Sequence, residues 1–236
     1  MWLGPNPLPQ GFPLTPQSYP SPNFGPRRDG AKPSLIVIHY TAMKCAQDAL
    51  DRLCDPEFEV SAHYLICEHG ALFQMVADDM RAWHAGAGSW GSLDDINSHS
   101  IGIELDNNGQ VPFGSDQLTC LSGLLRDLMD RFDIPPSRVI GHSDMAPGRK
   151  GDPGRFFPWQ HLAQDGLSIW TETDAGDGQS FDRSAAAFGY PITPYTLDAF
   201  RQRFRPDATG PESPQDRALM HALADAYPVD AQTRSR

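Results

Sequence analysis

Apolar residues along this chain fall into short unbroken runs and into recurrences at helical spacing. The clearest run is Leu35-Ile36-Val37-Ile38, closed by His39 and Tyr40. Consecutive aliphatic side chains predict a strand covered on both faces. Residues 61–76 predict two strands around a turn at Glu68-His69-Gly70. Residues 100–105 (SIGIEL) read as another central strand, ending at Asp106-Asn107-Asn108-Gly109. From Ser115 to Phe132, Leu118, Leu121, Leu124, Leu125, Leu128 and Met129 recur at helical spacing. Ser115 is the expected N-cap, and Pro135-Pro136 lies just beyond the end. Val139-Ile140-Gly141-His142 predicts a short strand leading into a Gly/Pro loop over 145–159, and His161 to Trp170 predicts a helix.

The flanks have a different texture. Nine of the 22 prolines fall in the first 33 residues, which predicts an extended, irregular segment. The opening MWLGPNPLPQGFPL has no basic residue before Arg27 and no apolar stretch that could serve as a signal core. The expectation is therefore a cytoplasmic protein, with a periplasmic one as the alternative. No apolar run reaches the length of a transmembrane helix. Residues 171–184 (TETDAGDGQSFDRS) read as a linker. Beyond it, Leu197, Phe200 and Phe204, then Leu219, Ala222, Leu223 and Ala226, each mark one helical face, so a small helical unit closes the chain.

Composition narrows the classes. A chain of 236 residues, 39% of them apolar, fits one large domain or a domain of about 150 residues with an appendage. The net charge of −11 excludes a nucleic-acid partner and disfavours an anionic membrane surface. Cys45, Cys54, Cys67 and Cys120 form no CxxC pair, which disfavours a zinc knuckle or a thioredoxin-type motif. They read as reduced thiols; a Cys45–Cys54 disulfide would be out of place in a reducing cytoplasm. Oligomeric state leaves no trace in the sequence.

Three polar residues interrupt or close these apolar strands: His39, Glu104 and His142. Lys150-Gly151-Asp152-Pro153-Gly154 follows shortly after His142. Side chains at the carboxyl ends of neighbouring strands converge on one crevice. Two imidazoles, one carboxylate and an open position make a catalytic zinc shell. Beside it, Glu104 has the chemistry of a general base and Lys150 that of an oxyanion partner. His63 and His84 lie near aromatic residues and could equally be ligands or core; spacing does not choose among them.

The strings PSLIVIHYTAM (33–43), SAHYL (61–65), AWHAG (82–86), NSHSIGIELDN (97–107), VIGHSDMAP (139–147) and RKGDPG (149–154) resemble the zinc amidases of the second N-acetylmuramoyl-L-alanine amidase family, which shares its fold with peptidoglycan-recognition proteins. SPNFGPRRDG (21–30) looks like that family's lead-in. The resemblance implies an α/β (α+β) fold, a central mixed sheet flanked by helices with zinc at its C-terminal edge. It implies zinc on His39, His142 and Asp152, with Glu104 and Lys150 as catalytic residues. His84, Asn97 and Arg149 fall in motifs that line the family's substrate groove. Residues 185–226 resemble, over a shorter match, a three-helix peptidoglycan-binding module; a helical cap on the catalytic domain is the alternative. The organisation expected is a Pro-rich segment (1–20), a catalytic domain (21–170), a linker (171–184) and a helical unit (185–230). The activity implied is hydrolysis of the amide between N-acetylmuramic acid, in its ordinary or 1,6-anhydro form, and L-alanine of the stem peptide. Peptidoglycan fragments or muropeptides would be the partners. Two rivals remain, a non-catalytic peptidoglycan-binding protein on the same fold and a zinc peptidase.

Overall fold

The structure, a computed structural model, describes residues 15–173 and 180–230. In chain order the elements begin with strands β1 (Gln17–Ser18), β2 (Phe24–Pro26) and β3 (Leu35–Tyr40). Helix α1 (Ala46–Cys54) precedes β4 (Tyr64–Ile66), β5 (Leu72–Gln74) and β6 (Met80–Ala82). Then come α2 (Ile96–His99), β7 (Ser100–Leu105), α3 (Ser115–Phe132), β8 (Val139–Gly141), α4 (His142–Met145) and α5 (Trp159–Gln164). Helices α6 (Phe181–Phe188), α7 (Thr196–Phe204) and α8 (Pro214–Ala226) complete the described chain.

The main sheet is mixed, in the order β1-β5-β4-β7-β3-β8. β3 lies parallel to both β7 and β8, while β4 and β5 are antiparallel. Alternation along β3 sends Ile36 and Ile38 to one face, with Ile101, Ile103 and Leu105 of β7 and the leucines of α3. Leu35 and Val37 go to the other face, where Phe181, Phe188, Phe200 and Phe204 from the C-terminal helices cover them. The central strands are thus buried on both sides, which is why they read as continuous apolar runs. A third cluster packs α1 against Leu65 and Met75.

Several local expectations are corrected. The helix at 115–132 is capped by Gly114, not Ser115. The chain there passes so close to Glu68 that a Cβ on Gly114 would stand 2.8 Å from the Glu68 carbonyl oxygen. The helix expected to run to Trp170 stops at Gln164, because Gly166 takes a left-handed φ of +73°. Leu167 N–H then bonds back to Leu162 O and Gly166 N–H to Ala163 O, a Schellman closure. From residue 15 onward the Pro-rich start is extended but not irregular: β1 pairs with β5, and β2 with β6. Tyr19 and Ser21 donate their amides to Gln74 and Met75, while Pro16, Pro20 and Pro22 occupy the alternate positions where no donor is needed. Residues 1–14 lie outside the described residues, as do 174–179 of the expected linker; α6 begins within that linker at Phe181. The four cysteines are free. Cys45 and Cys54 stand at opposite ends of α1, too far apart for a disulfide. Among the described residues, no helix is long and apolar enough to cross a membrane.

Candidate active site

Strand order decides which side chains meet. Since β3 lies between β7 and β8, His39 is opposite Glu104, and Ile38 is opposite Gly141. His142 follows Gly141 as the first residue of α4. The loop after α4 is folded back by the amides of Arg149 and Lys150 on Ala146 O, and Ser143 N–H holds the Asp152 carbonyl at 2.8 Å. Asp152 is thereby brought beside both histidines.

The result is a triangle of donor atoms. His39 Nδ1, His142 Nδ1 and Asp152 Oδ2 lie 2.9 Å from one another along every edge. All three residues are buried. The outer ring nitrogens are already engaged. His142 Nε2 meets Ala85 O at 2.9 Å, a carbonyl that can only accept, so its proton sits on Nε2. His39 Nε2 meets His84 Nδ1 at 3.0 Å, and His84 Nε2 meets Ser100 Oγ at 3.1 Å, whose hydroxyl donates to Ile96 O at 2.6 Å. This relay is satisfied when protons run outward from His39, through His84, to Ser100. Both inner Nδ1 atoms then point bare lone pairs at a carboxylate. No placement of protons turns all three 2.9 Å edges into hydrogen bonds, whereas a cation bound by all three donor atoms would satisfy them together. Outer hydrogen bonds that fix the tautomer of a ligand are the usual second layer of a metal site. Among the described residues this is the cluster of donors suited to a metal ion.

Burial, then the neighbouring His142, lowers His39 to a pKa of about 4. Burial pushes Asp152 up, but hydrogen bonds and charge from His142 and His39 outweigh it and hold the carboxyl well below the usual range. His39 is therefore a neutral imidazole and Asp152 a carboxylate at neutral pH. Glu104 behaves oppositely: burial, then Asp152, raises it to about 8, while Lys150 pulls it down. Its Oε2 is buried with no hydrogen-bond partner.

A cleft of about 370 Å³ opens on the triangle. Trp83, His84, Glu104, Lys150 and Asp152 are in its walls. A second hollow of about 420 Å³ beside Lys44, Glu68 and Asp106 contains none of the donors. His84 lines the cleft as the support of His39. Asn97 is buried, and its Oδ1 accepts from the amides of His84 (3.1 Å) and Ala85 (2.8 Å), so it shapes the backbone behind the wall. Arg149 lines the cleft and binds the loop at 85–87, with Nη2 on Ala85 O at 2.6 Å and also on Ala87 O. His63 is core: its Nδ1 accepts from Gly102 N–H and its Nε2 meets Met80 O.

Two contributors went unseen in the sequence reading, Ser100 and Gly102. A Cβ on Gly102 would stand 2.4 Å from His84 Cγ, so the strand leaves room for that ring. The signal was present: a glycine inside an aliphatic strand marks a close approach.

The description "N-acetylmuramoyl-L-alanine amidase" belongs to the family profile that matches residues 29–155, a span holding every cleft residue discussed above. The chain is 33% identical to the N-acetylmuramoyl-L-alanine amidase AmiD of Escherichia coli over 83% of this chain and 84% of that protein. A structure of AmiD with anhydro-N-acetylmuramic acid-L-Ala-D-gamma-Glu-L-Lys aligns with a TM-score of 0.75 at 32% identity, covering 84% of this chain and 92% of that one. AmpDh3 of Pseudomonas aeruginosa, in complex with anhydromuramic pentapeptide, aligns with a TM-score of 0.77 at 29% identity over 86% and 95% of the two chains. The E. coli 1,6-anhydro-N-acetylmuramyl-L-alanine amidase AmpD is 34% identical over 64% of this chain and 92% of that protein.

Proposed function

This chain belongs to the N-acetylmuramoyl-L-alanine amidase family, and from that premise we propose that it hydrolyses the muramoyl–L-alanine amide with zinc held by His39, His142 and Asp152. The observation that carries the zinc is the donor triangle, whose edges of 2.9 Å cannot be satisfied by protons alone. Relatives bound to anhydromuropeptides support the substrate class, and with it a place in peptidoglycan turnover and muropeptide recycling.

Two histidines and one carboxylate fit zinc, which supplies a Lewis acid that polarises a carbonyl and acidifies water. Glu104 faces the same space with an unsatisfied carboxylate oxygen, so it can take a proton from the attacking water and hold it. Its pKa, raised by burial and Asp152, would fall beside a dication held by the three donors, so that Glu104 could accept a proton at neutral pH. Lys150, in the cleft wall, offsets negative charge on the amide oxygen as the carbon becomes tetrahedral. His84 keeps His39 in the tautomer that bares Nδ1, and Asn97 holds the backbone carrying His84. Arg149 fixes the loop at 85–87, and its guanidinium, which lines the cleft, is the group suited to a stem-peptide carboxylate.

The experiment is direct. Purified protein should contain about one zinc per chain. It should release stem peptide from an anhydromuropeptide, read by mass spectrometry, and lose that activity on chelation. Hydrolysis of peptides lacking muramic acid at a comparable rate would indicate a peptidase instead. Binding of peptidoglycan without hydrolysis would indicate a recognition protein. Comparing anhydromuropeptides with intact sacculi sets the preferred size of substrate.

A further inference from the structure

Two residues beyond His142, α4 carries a second buried carboxylate that takes no part in the triangle. Asp144 is 1% exposed. Its Oδ2 accepts the backbone N–H of Gly141 and Nη1 of Arg203, each at 2.8 Å, and its Oδ1 accepts the Tyr190 hydroxyl at 2.7 Å. Arg203 belongs to α7 and Tyr190 to the segment after α6. The other arm of Arg203, Nη2, donates to Val139 O of β8 at 3.0 Å, and its guanidinium lies 4.4 Å from the centre of the Trp159 ring. The C-terminal helices therefore grip β8 and α4 through one charged side chain.

What they grip matters for the metal. α4 is a single turn of four residues and has little helical stability of its own. Its first residue is the donor His142, and its second, Ser143, holds the backbone of the donor Asp152 at 2.8 Å. Gly141, whose amide Asp144 accepts, leaves no slack: a Cβ there would stand 2.7 Å from Cδ of Pro153, the neighbour of Asp152. A shift of Asp144 is thus transmitted to two of the three donors.

We propose that Arg203, assisted by Tyr190, is a positioning residue that acts through Asp144 to hold α4, so that the C-terminal helices set the affinity of the site for its metal. This rests on the zinc reading above.

A second buried clamp supplies the control. Arg201 of α7 bonds Asp216 of α8 through Nε at 3.1 Å and Nη2 at 2.6 Å, joining the C-terminal helices to each other rather than to α4. Zinc affinity is measured for folded protein by competition with a chromophoric chelator, alongside thermal midpoints. Arg203→Met should weaken zinc binding roughly 10–100-fold, as loss of outer-layer support does. Arg203→Lys, which keeps the charge on Asp144, should recover most of that loss. Arg201→Met should lower the midpoint but leave zinc affinity unchanged. Wild-type affinity in Arg203→Met, or an equal loss in Arg201→Met, overturns the proposal. If Arg203→Met does not fold, Tyr190→Phe decides: it removes one oxygen and keeps the ring against Trp90 and Phe188. Weakened zinc binding there supports the proposal and unchanged binding overturns it. Wild-type protein that takes up no zinc overturns the metal reading as well, an outcome separable from failure of the clamp alone.

Discussion

Replacing Glu104 by Gln removes a titratable group from the cleft wall while keeping its shape. In metal-free protein, burial followed by Asp152 moves this carboxyl from its ordinary 4.5 up to about 8. The folded pKa lies above the unfolded one. The carboxyl therefore contributes stability that is fully present below about 4.5 and is lost as pH rises through about 8. Each pH unit across that window is worth about 1.4 kcal/mol, so metal-free wild type should lose about 4 kcal/mol relative to Glu104→Gln between its ends. For a chain of this size that opens a gap of roughly 10 °C in thermal midpoint. The assay is a pair of melting curves at intervals from pH 5 to pH 8.5 on chelated protein, repeated with zinc. The variant should gain on wild type as pH rises, and zinc should narrow the gap, because a nearby dication stabilises the ionised carboxylate. A gap that is flat with pH in chelated protein, or untouched by zinc, would refute a carboxyl with a raised pKa at this position. The same variant should retain zinc and lose roughly 100-fold or more in hydrolysis, the scale of a missing general base.

Other perturbations test the architecture around the cleft. Gly102→Ala places a Cβ 2.4 Å from an imidazole held on both sides, so zinc affinity should fall roughly tenfold or more, read by chelator competition. The same variant should lose about 1–3 kcal/mol in urea denaturation. His39→Ala should abolish stoichiometric zinc uptake in elemental analysis, since it removes one vertex of the triangle. Asn97→Ala strips the amides of His84 and Ala85 of their acceptor and should cost about 1–3 kcal/mol, with a loss in turnover as the wall relaxes. A thiol reductant should leave the thermal midpoint unchanged, because the four cysteines are free.

Much of this was legible from one dimension. The runs at 35–38 and 100–105 are strands because both their faces are covered, and the leucines of 118–128 form a helix because one stripe faces the sheet. The places where the reading failed have specific causes. Ser115 yielded its cap position to Gly114 because a neighbouring loop passes too near for a side chain. The helix after residue 159 stopped early at a glycine whose Schellman closure outweighed the apolar residues beyond it. Proline density concealed the edge strand at 17–18, since the prolines fall on positions the ladder does not use.

Local order and residue chemistry were therefore determined by the sequence itself: which segments are strands, which are helices, and that imidazoles and carboxylates stand at strand ends. Tertiary structure alone decided their meeting. His39 and Asp152 are 113 positions apart, and their contact follows from β3 lying between two strands distant from it in the chain. It likewise decided that Asn97 and Arg149 brace the wall and that Arg203 reaches Asp144 across 59 positions. Periodicity records only whether a residue faces the core or the solvent. Side-chain convergence depends on strand order, register and the path of loops, and these are set by the packing of the whole chain.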